Sequence, residues 1–126
     1  MPVTNARRVR GQTSFQAGLA AEEIVSRAYL ARGYELAAER WRGVAGEVDL
    51  IFRRNGALVF TEVKKSRCFD TAALRIGARQ MARITAAAQE FAAGEPRGLL
   101  TEMRFDAALV DGRGGLRVLP NAFAAG

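Results

Sequence analysis

The chain has 126 residues and 49% hydrophobic composition, enough to fill the core of one domain of ordinary size. It contains no histidine and a single cysteine, Cys68, so histidine-based triads, HExxH metalloprotease sites, Cys2His2 fingers and an internal disulfide are all excluded. Nineteen basic residues against thirteen acidic give a formal charge of +6, a balance suited to phosphates or anionic surfaces. No stretch has the length and apolarity of a membrane span, and Met1 to Gln12 lacks the apolar core of a secretory signal. A cytoplasmic protein with no membrane partner is therefore expected.

Residues 1–13 carry Arg7, Arg8 and Arg10 with no acid. They are expected to form a flexible basic arm, either simply solvated or in contact with nucleic acid. The remainder, residues 14–126, reads as one domain. Ser14 is a candidate N-cap for a first helix ending before Gly33. At 100° per residue, Phe15, Leu19, Glu22, Ser26 and Tyr29 share a stripe with Val25 and Leu30 at its edges, so Glu22 meets the core and Glu23 turns to solvent.

A weak strand follows over Tyr34 to Trp41. Two clearer strands, Glu47 to Arg54 and Ala57 to Lys64, are joined by Asn55-Gly56, a strong hairpin signal. From Asp70 to about Ala93 the apolar period becomes helical, with Leu74, Gly77, Met81, Ile84, Ala88 and Phe91 on one stripe and Arg75, Arg79 and Arg83 on another face. Strands over Arg104 to Val110 and Leu116 to Leu119 close the chain. The order α-β-β-β-α-β-β predicts an α/β fold with a mixed sheet flanked by helices.

The hairpin register sets Asp49 opposite Glu62 and Glu47 opposite Lys64. Alternation then puts these four on one face, with Val48, Leu50, Phe52, Val59 and Val63 on the other. Carboxylates directly across from each other repel, and a divalent cation offsets the repulsion. Asp49 and Glu62 are hard oxygen ligands, the Val63 carbonyl lies nearby, and the open positions suit Mg²⁺ with water and a phosphate oxygen. Such an ion acidifies bound water and offsets charge at a phosphodiester in hydrolysis. Lys64 would orient the water or share developing charge. Since seventeen of the nineteen basic residues are arginine, a lysine here suggests a task that a compact ammonium performs and a guanidinium does not. The alternative is an exposed Glu62–Lys64 sheet pair with Asp49 satisfying a turn.

Six basic residues, Lys64, Lys65, Arg67, Arg75, Arg79 and Arg83, stand against one acid, Asp70, between positions 64 and 83. The last five, like Arg7, Arg8 and Arg10, are candidate nucleic-acid contacts or else a solvated face. Gln80 lies between the arginine ridge and the apolar stripe, where its amide would steady the site or cap the packing. Trp41 would stack on a base or, more commonly, fill the core.

Gly-Glu-Val-Asp-Leu-Ile from Gly46 to Ile51, followed by Leu-Val-Phe-Thr-Glu-Val-Lys from Leu58 to Lys64, resembles the YraN-like family of the PD-(D/E)xK nuclease superfamily. Ala21-Glu22, Tyr29-Leu30, Gly33-Tyr34, Trp41-Arg42, Arg104-Phe105-Asp106 and Asn121-Ala122-Phe123 extend the likeness along most of the chain. The resemblance implies a restriction-endonuclease-like fold similar to archaeal Holliday junction resolvases. It also implies a site in which Glu22, Asp49, Glu62 and Lys64 handle Mg²⁺ or Mn²⁺, with Glu22 acting directly or through water and Glu47 as a secondary ligand. The chain departs from the family at Ala21, where glycine is usual, and at Lys65-Ser66, where Thr-Arg is usual.

These readings lead to a metal-dependent endonuclease acting on DNA, with branched or recombination intermediates as candidate substrates. A homodimer would suit the cutting of both strands. The competing expectation is a non-catalytic nucleic-acid-binding module on the same fold, and a third is an adaptor for an acidic protein partner.

Overall fold

The computed structural model describes residues 4–65 and 77–122, with backbone alone for residues 4–17 and Ala78. Helix α1 runs Thr4–Ala31, strand β1 Glu35–Arg42, β2 Glu47–Arg54, β3 Ala57–Lys65, helix α2 Ala78–Ala92, β4 Met103–Val110 and β5 Leu116–Leu119, with a short 3-10 turn at Gly98–Leu100. The order α-β-β-β-α-β-β is as expected, and the architecture is consistent with a restriction-endonuclease-like fold. Helix α1 begins at Thr4 and not at Ser14, so part of the expected arm has helical backbone. No proline interrupts Thr4 to Ser14, and a single glycine costs a helix only about 1 kcal/mol. The expected start of the second helix at Asp70 lies outside the described residues, as does Cys68.

The five strands form one mixed sheet in the order β1-β2-β3-β4-β5. β3 pairs antiparallel with β2 and parallel with β4, which makes it the middle strand. Asn55 and Gly56 both have positive φ, 52° and 80°, the geometry that matches a two-residue turn to strand twist. The parallel β3–β4 pair requires a crossover, and α2 lies within it.

Alternate residues of β2 and β3 feed two cores. Ile51, Leu58 and Phe60 pack with Ile84, Ala87, Ala88 and Ala92 of α2. Leu50, Phe52 and Val59 pack with Ala21, Val25 and Tyr29 of α1. The helices therefore cover opposite faces. The buried stripe of α1 centres on Ala21, Val25 and Tyr29, which leaves Glu22 half-buried at its edge and Leu30 48% exposed. The small Ala21 side chain at the centre of this stripe is buried, leaving the longer Glu22 at the border. Glu23 faces solvent as expected, paired with Arg27 at 2.7 Å. Trp41 is a core residue, edge-on to Phe91 at 5.3 Å.

Val48 departs from the expected alternation. It packs on the α2 side with Ile51, whereas Leu50 packs on the α1 side. The change falls where the β2–β3 ladder stops, beyond Leu50↔Thr61, and Arg40, which lies opposite Asp49 in the β1–β2 register, has a positive φ of 43°.

A buried carboxylate clamps the middle of β4, where Asp106 pairs with Thr61. Asp106 is fully buried and accepts hydrogen bonds from Tyr29 Oη at 2.6 Å, from Arg104 Nε and Nη2 at 2.8 Å each, and from the Asn121 backbone N–H at 2.9 Å. One side chain thus ties α1, β4 and the segment after β5 together. Tyr29 also stacks on Phe52, ring centroids 4.2 Å apart. Burial and the Asp106 charge hold the Tyr29 hydroxyl protonated, its pKa raised well above the usual phenol value.

Candidate metal and phosphodiester site

The β2–β3 ladder runs from Arg54↔Ala57 to Leu50↔Thr61 in the register expected from the turn. At the next position, where Asp49 faces Glu62, side chains take over. The Asp49 backbone N–H donates to Glu62 Oε1 at 3.3 Å, and the Val63 backbone N–H donates to Asp49 Oδ2 at 2.8 Å. Each carboxylate thus accepts a hydrogen bond from the neighbouring strand.

The groups meet where the ladder gives way to side chains, not on one flat face as expected. Asp49 lines a cleft of about 330 Å³ on the α1 side with Gly18, Glu22, Arg40, Val63 and Lys65. Glu62 is reached from the α2 side, where Gln80 Nε2 donates to its Oε2 at 2.8 Å. Gln80 therefore acts on the ligand itself. Arg40 is the participant that sequence reading missed: its Nη1 donates to Glu22 Oε2 at 3.1 Å, which ties the helix acid to the strand beside Asp49. Only the β1–β2 register, with the break at Arg40, reveals this placement.

Burial and mutual repulsion set the acidity of the cluster. Glu62 is only 4% exposed, and desolvation followed by the Asp49 charge pushes its pKa up to about 8. Desolvation also raises Asp49, opposed by the Val63 N–H and by the Lys64 charge. Glu22 is raised by burial and then by Asp49, against the pull of Arg40. The Lys64 charge favours ionisation of both Asp49 and Glu62. Two acids in low dielectric share a proton unless a cation replaces it.

Glu47 stands apart, 3.6 Å from Arg42 Nη2 at the start of the β1–β2 hairpin, and its charge adds to the repulsion felt by Asp49. Among the described residues no three or more acidic, histidine or cysteine side chains close into a metal cage. The donor set is open: two carboxylates with a third acid along the cleft. That chemistry fits a hard cation that retains waters, such as Mg²⁺, better than a closed structural ion.

Arg79 and Arg83 are exposed on α2, and Arg83 lies against Gly46, its side chain within 3.5 Å of the position a Cβ would take there. Arg67 and Arg75 lie outside the described residues. The same holds for the side chains of Arg7, Arg8 and Arg10.

A family model described as uncharacterised protein family UPF0102 matches residues 21–110, a span that takes in Glu22, Asp49, Glu62, Lys64 and Gln80. The chain belongs to UPF0102. A UPF0102 protein of Roseobacter denitrificans is 53% identical over 126 residues, covering 100% of this chain and 98% of the relative. One from Ruegeria pomeroyi is 56% identical over 117 residues, 93% of this chain and 95% of its own length. One from Cereibacter sphaeroides is 55% identical over 115 residues, 91% and 98% of the two chains. The YraN-like resemblance is thereby shown. Among the described residues, no UPF0102 helix here is long and apolar enough to cross a membrane.

Proposed function

We propose that this UPF0102 protein is a divalent-metal-dependent endonuclease that hydrolyses DNA phosphodiester bonds, with branched or recombination intermediates as the candidate substrates. The observation that carries the reading is the pair of half-buried Asp49 and buried Glu62, mutually repelling and each bonded to the opposing strand. A pair that raises its own pKa has a use for a cation.

Asp49 and Glu62 would hold Mg²⁺ or Mn²⁺, with Glu22 assisting directly or through water and the Val63 carbonyl as a further oxygen donor. When bound, the ion supplies an acidified water and an electrostatic partner for the phosphate oxygens. Gln80 fixes the Glu62 carboxylate by its hydrogen bond, so the ligand does not have to be ordered on binding. Arg40 holds Glu22 toward the cleft. The Lys64 ammonium, whose charge acts on both carboxylates, would stabilise negative charge developing on the phosphate. Lys65, Arg79 and Arg83 supply positive charge for the backbone on either side of the cut. A dimer would present two such sites to two strands.

The open donor set favours, as a second reading, a nucleic-acid-binding module without turnover. Incubating the full chain with Mg²⁺ or Mn²⁺ and a panel of duplex, branched and single-stranded DNA separates the two. Turnover that falls by about a hundredfold or more in Asp49→Asn and Glu62→Gln supports the nuclease. Salt-sensitive binding with no cleavage on any substrate supports the module.

A further inference from the structure

At the opposite end of β2, about 16 Å along the strand from Asp49, two arginines gather around one aromatic ring and a third, Arg32, lines the cleft beside it. The Arg54 guanidinium lies 5.1 Å from the Tyr34 ring centroid and that of Arg104 lies 5.7 Å from it. Arg104 Nη2 also donates to Tyr34 Oη at 3.4 Å. Two clefts, of about 340 and 250 Å³, meet at Tyr34 and Arg104; the first takes in Arg32 and the second Arg54.

We propose that Arg32, Tyr34, Arg54 and Arg104 form a metal-independent binding site for a phosphate group, carried either by a nucleic-acid strand or by a free nucleotide.

The charge arrangement supports this. Arg104 is held by Asp106 through two hydrogen bonds, so its guanidinium is fixed before any ligand arrives. Asp106 itself is fully buried and saturated by Tyr29, Arg104 and Asn121, and it presents no free carboxylate to the clefts. Arg32 and Arg54 form no ion pair with a described residue. The acid bordering the clefts is Glu102, exposed on the wall of the smaller one. Arg104 and Arg54 draw the Tyr34 hydroxyl below its ordinary pKa, as expected of a positive local potential. Guanidiniums beside a phenol hydroxyl supply the charge and the donors that a phosphate with two negative charges requires. None of these residues belongs to the Asp49–Glu62 site, so the proposal stands whether or not that site cuts DNA.

The test uses the full chain in EDTA with two probes, inorganic phosphate and a short single-stranded oligonucleotide, titrated by calorimetry and by fluorescence anisotropy. Arg54 is exposed and without an ion pair, so Arg54→Gln should fold, which a matching thermal unfolding curve verifies. The expected result is that at least one probe binds wild type and that Arg54→Gln weakens it about fivefold or more, with a further loss in Arg32→Gln/Arg54→Gln. Glu62→Gln should leave this binding unchanged. Binding of inorganic phosphate identifies a free ligand as sufficient, whereas binding of the oligonucleotide alone identifies a strand. Equal affinities in wild type and the double variant, or no binding of either probe at about 1 mM, would overturn the proposal.

Discussion

Asp49 and Glu62 each accept a hydrogen bond from the opposing strand where the β2–β3 ladder ends, at 2.8 Å from Val63 N–H and 3.3 Å from Asp49 N–H. The side chains replace ladder hydrogen bonds, and both are fixed in place by the backbone they terminate. The arrangement positions two acids without relying on a loop, and it costs stability whenever both are charged.

That cost is measurable. Asp49→Asn keeps a carbonyl oxygen for the Val63 N–H and removes one of the two repelling charges. In EDTA at about pH 8 the variant should melt a few degrees above wild type, about 4 °C per kcal/mol recovered. Differential scanning calorimetry checks this; a lower melting temperature would show that the charge is stabilising.

The pH dependence has a definite sign. Glu62 has its folded pKa raised from 4.5 to about 8, so the folded state binds the proton more tightly than the unfolded chain. The metal-free protein should lose stability as pH rises from about 4.5 to about 8 and level off beyond. Glu62→Gln should flatten that slope. Because a cation binds the ionised pair, metal binding near pH 7 should release protons, seen as a buffer-dependent calorimetric heat, and should tighten as pH approaches 8.

Gln80 tests the support of the site. Gln80→Ala leaves Glu62 without its 2.8 Å donor and should weaken Mn²⁺ binding about tenfold or more, with a stability loss of about 1–3 kcal/mol from the unsatisfied carboxyl. Unchanged affinity would confine Gln80 to packing.

The Asp106 clamp should behave differently. Asp106→Ala leaves Arg104 uncompensated and frees the Tyr29 hydroxyl, so it should cost about 3–5 kcal/mol. Tyr29→Phe removes one hydrogen bond and should cost about 1–2 kcal/mol. Urea unfolding of both variants measures these losses, and metal affinity in the folded fraction should be unaffected.

Much of this was legible in the sequence because local rules and tertiary structure agree. Asn55-Gly56 set the hairpin register, which holds from Arg54↔Ala57 to Leu50↔Thr61, but the common face expected for Asp49 and Glu62 beyond it is not found. The helical period put Glu23 in solvent, as found, but it put Glu22 on the buried stripe, whereas Ala21, Val25 and Tyr29 form that stripe and Glu22 borders it. What escaped depended on breaks in those periods. Arg40 takes a positive φ that no propensity favours, Val48 lies on the other face, and Arg40 bonds to Glu22, none of which the strand period predicts. The Asp106 clamp escaped as well, since its partners Tyr29, Arg104 and Asn121 meet only when α1, β4 and the segment after β5 are assembled. The motif Arg104-Phe105-Asp106 was visible, but its purpose was not.

Calorimetric titration of Mn²⁺ into the full chain at about pH 8 bears most directly on whether the facing acids form a working metal site. The account predicts saturable binding in wild type that disappears in both Asp49→Asn and Glu62→Gln while each variant stays folded. Binding of equal strength in wild type and these variants would contradict it.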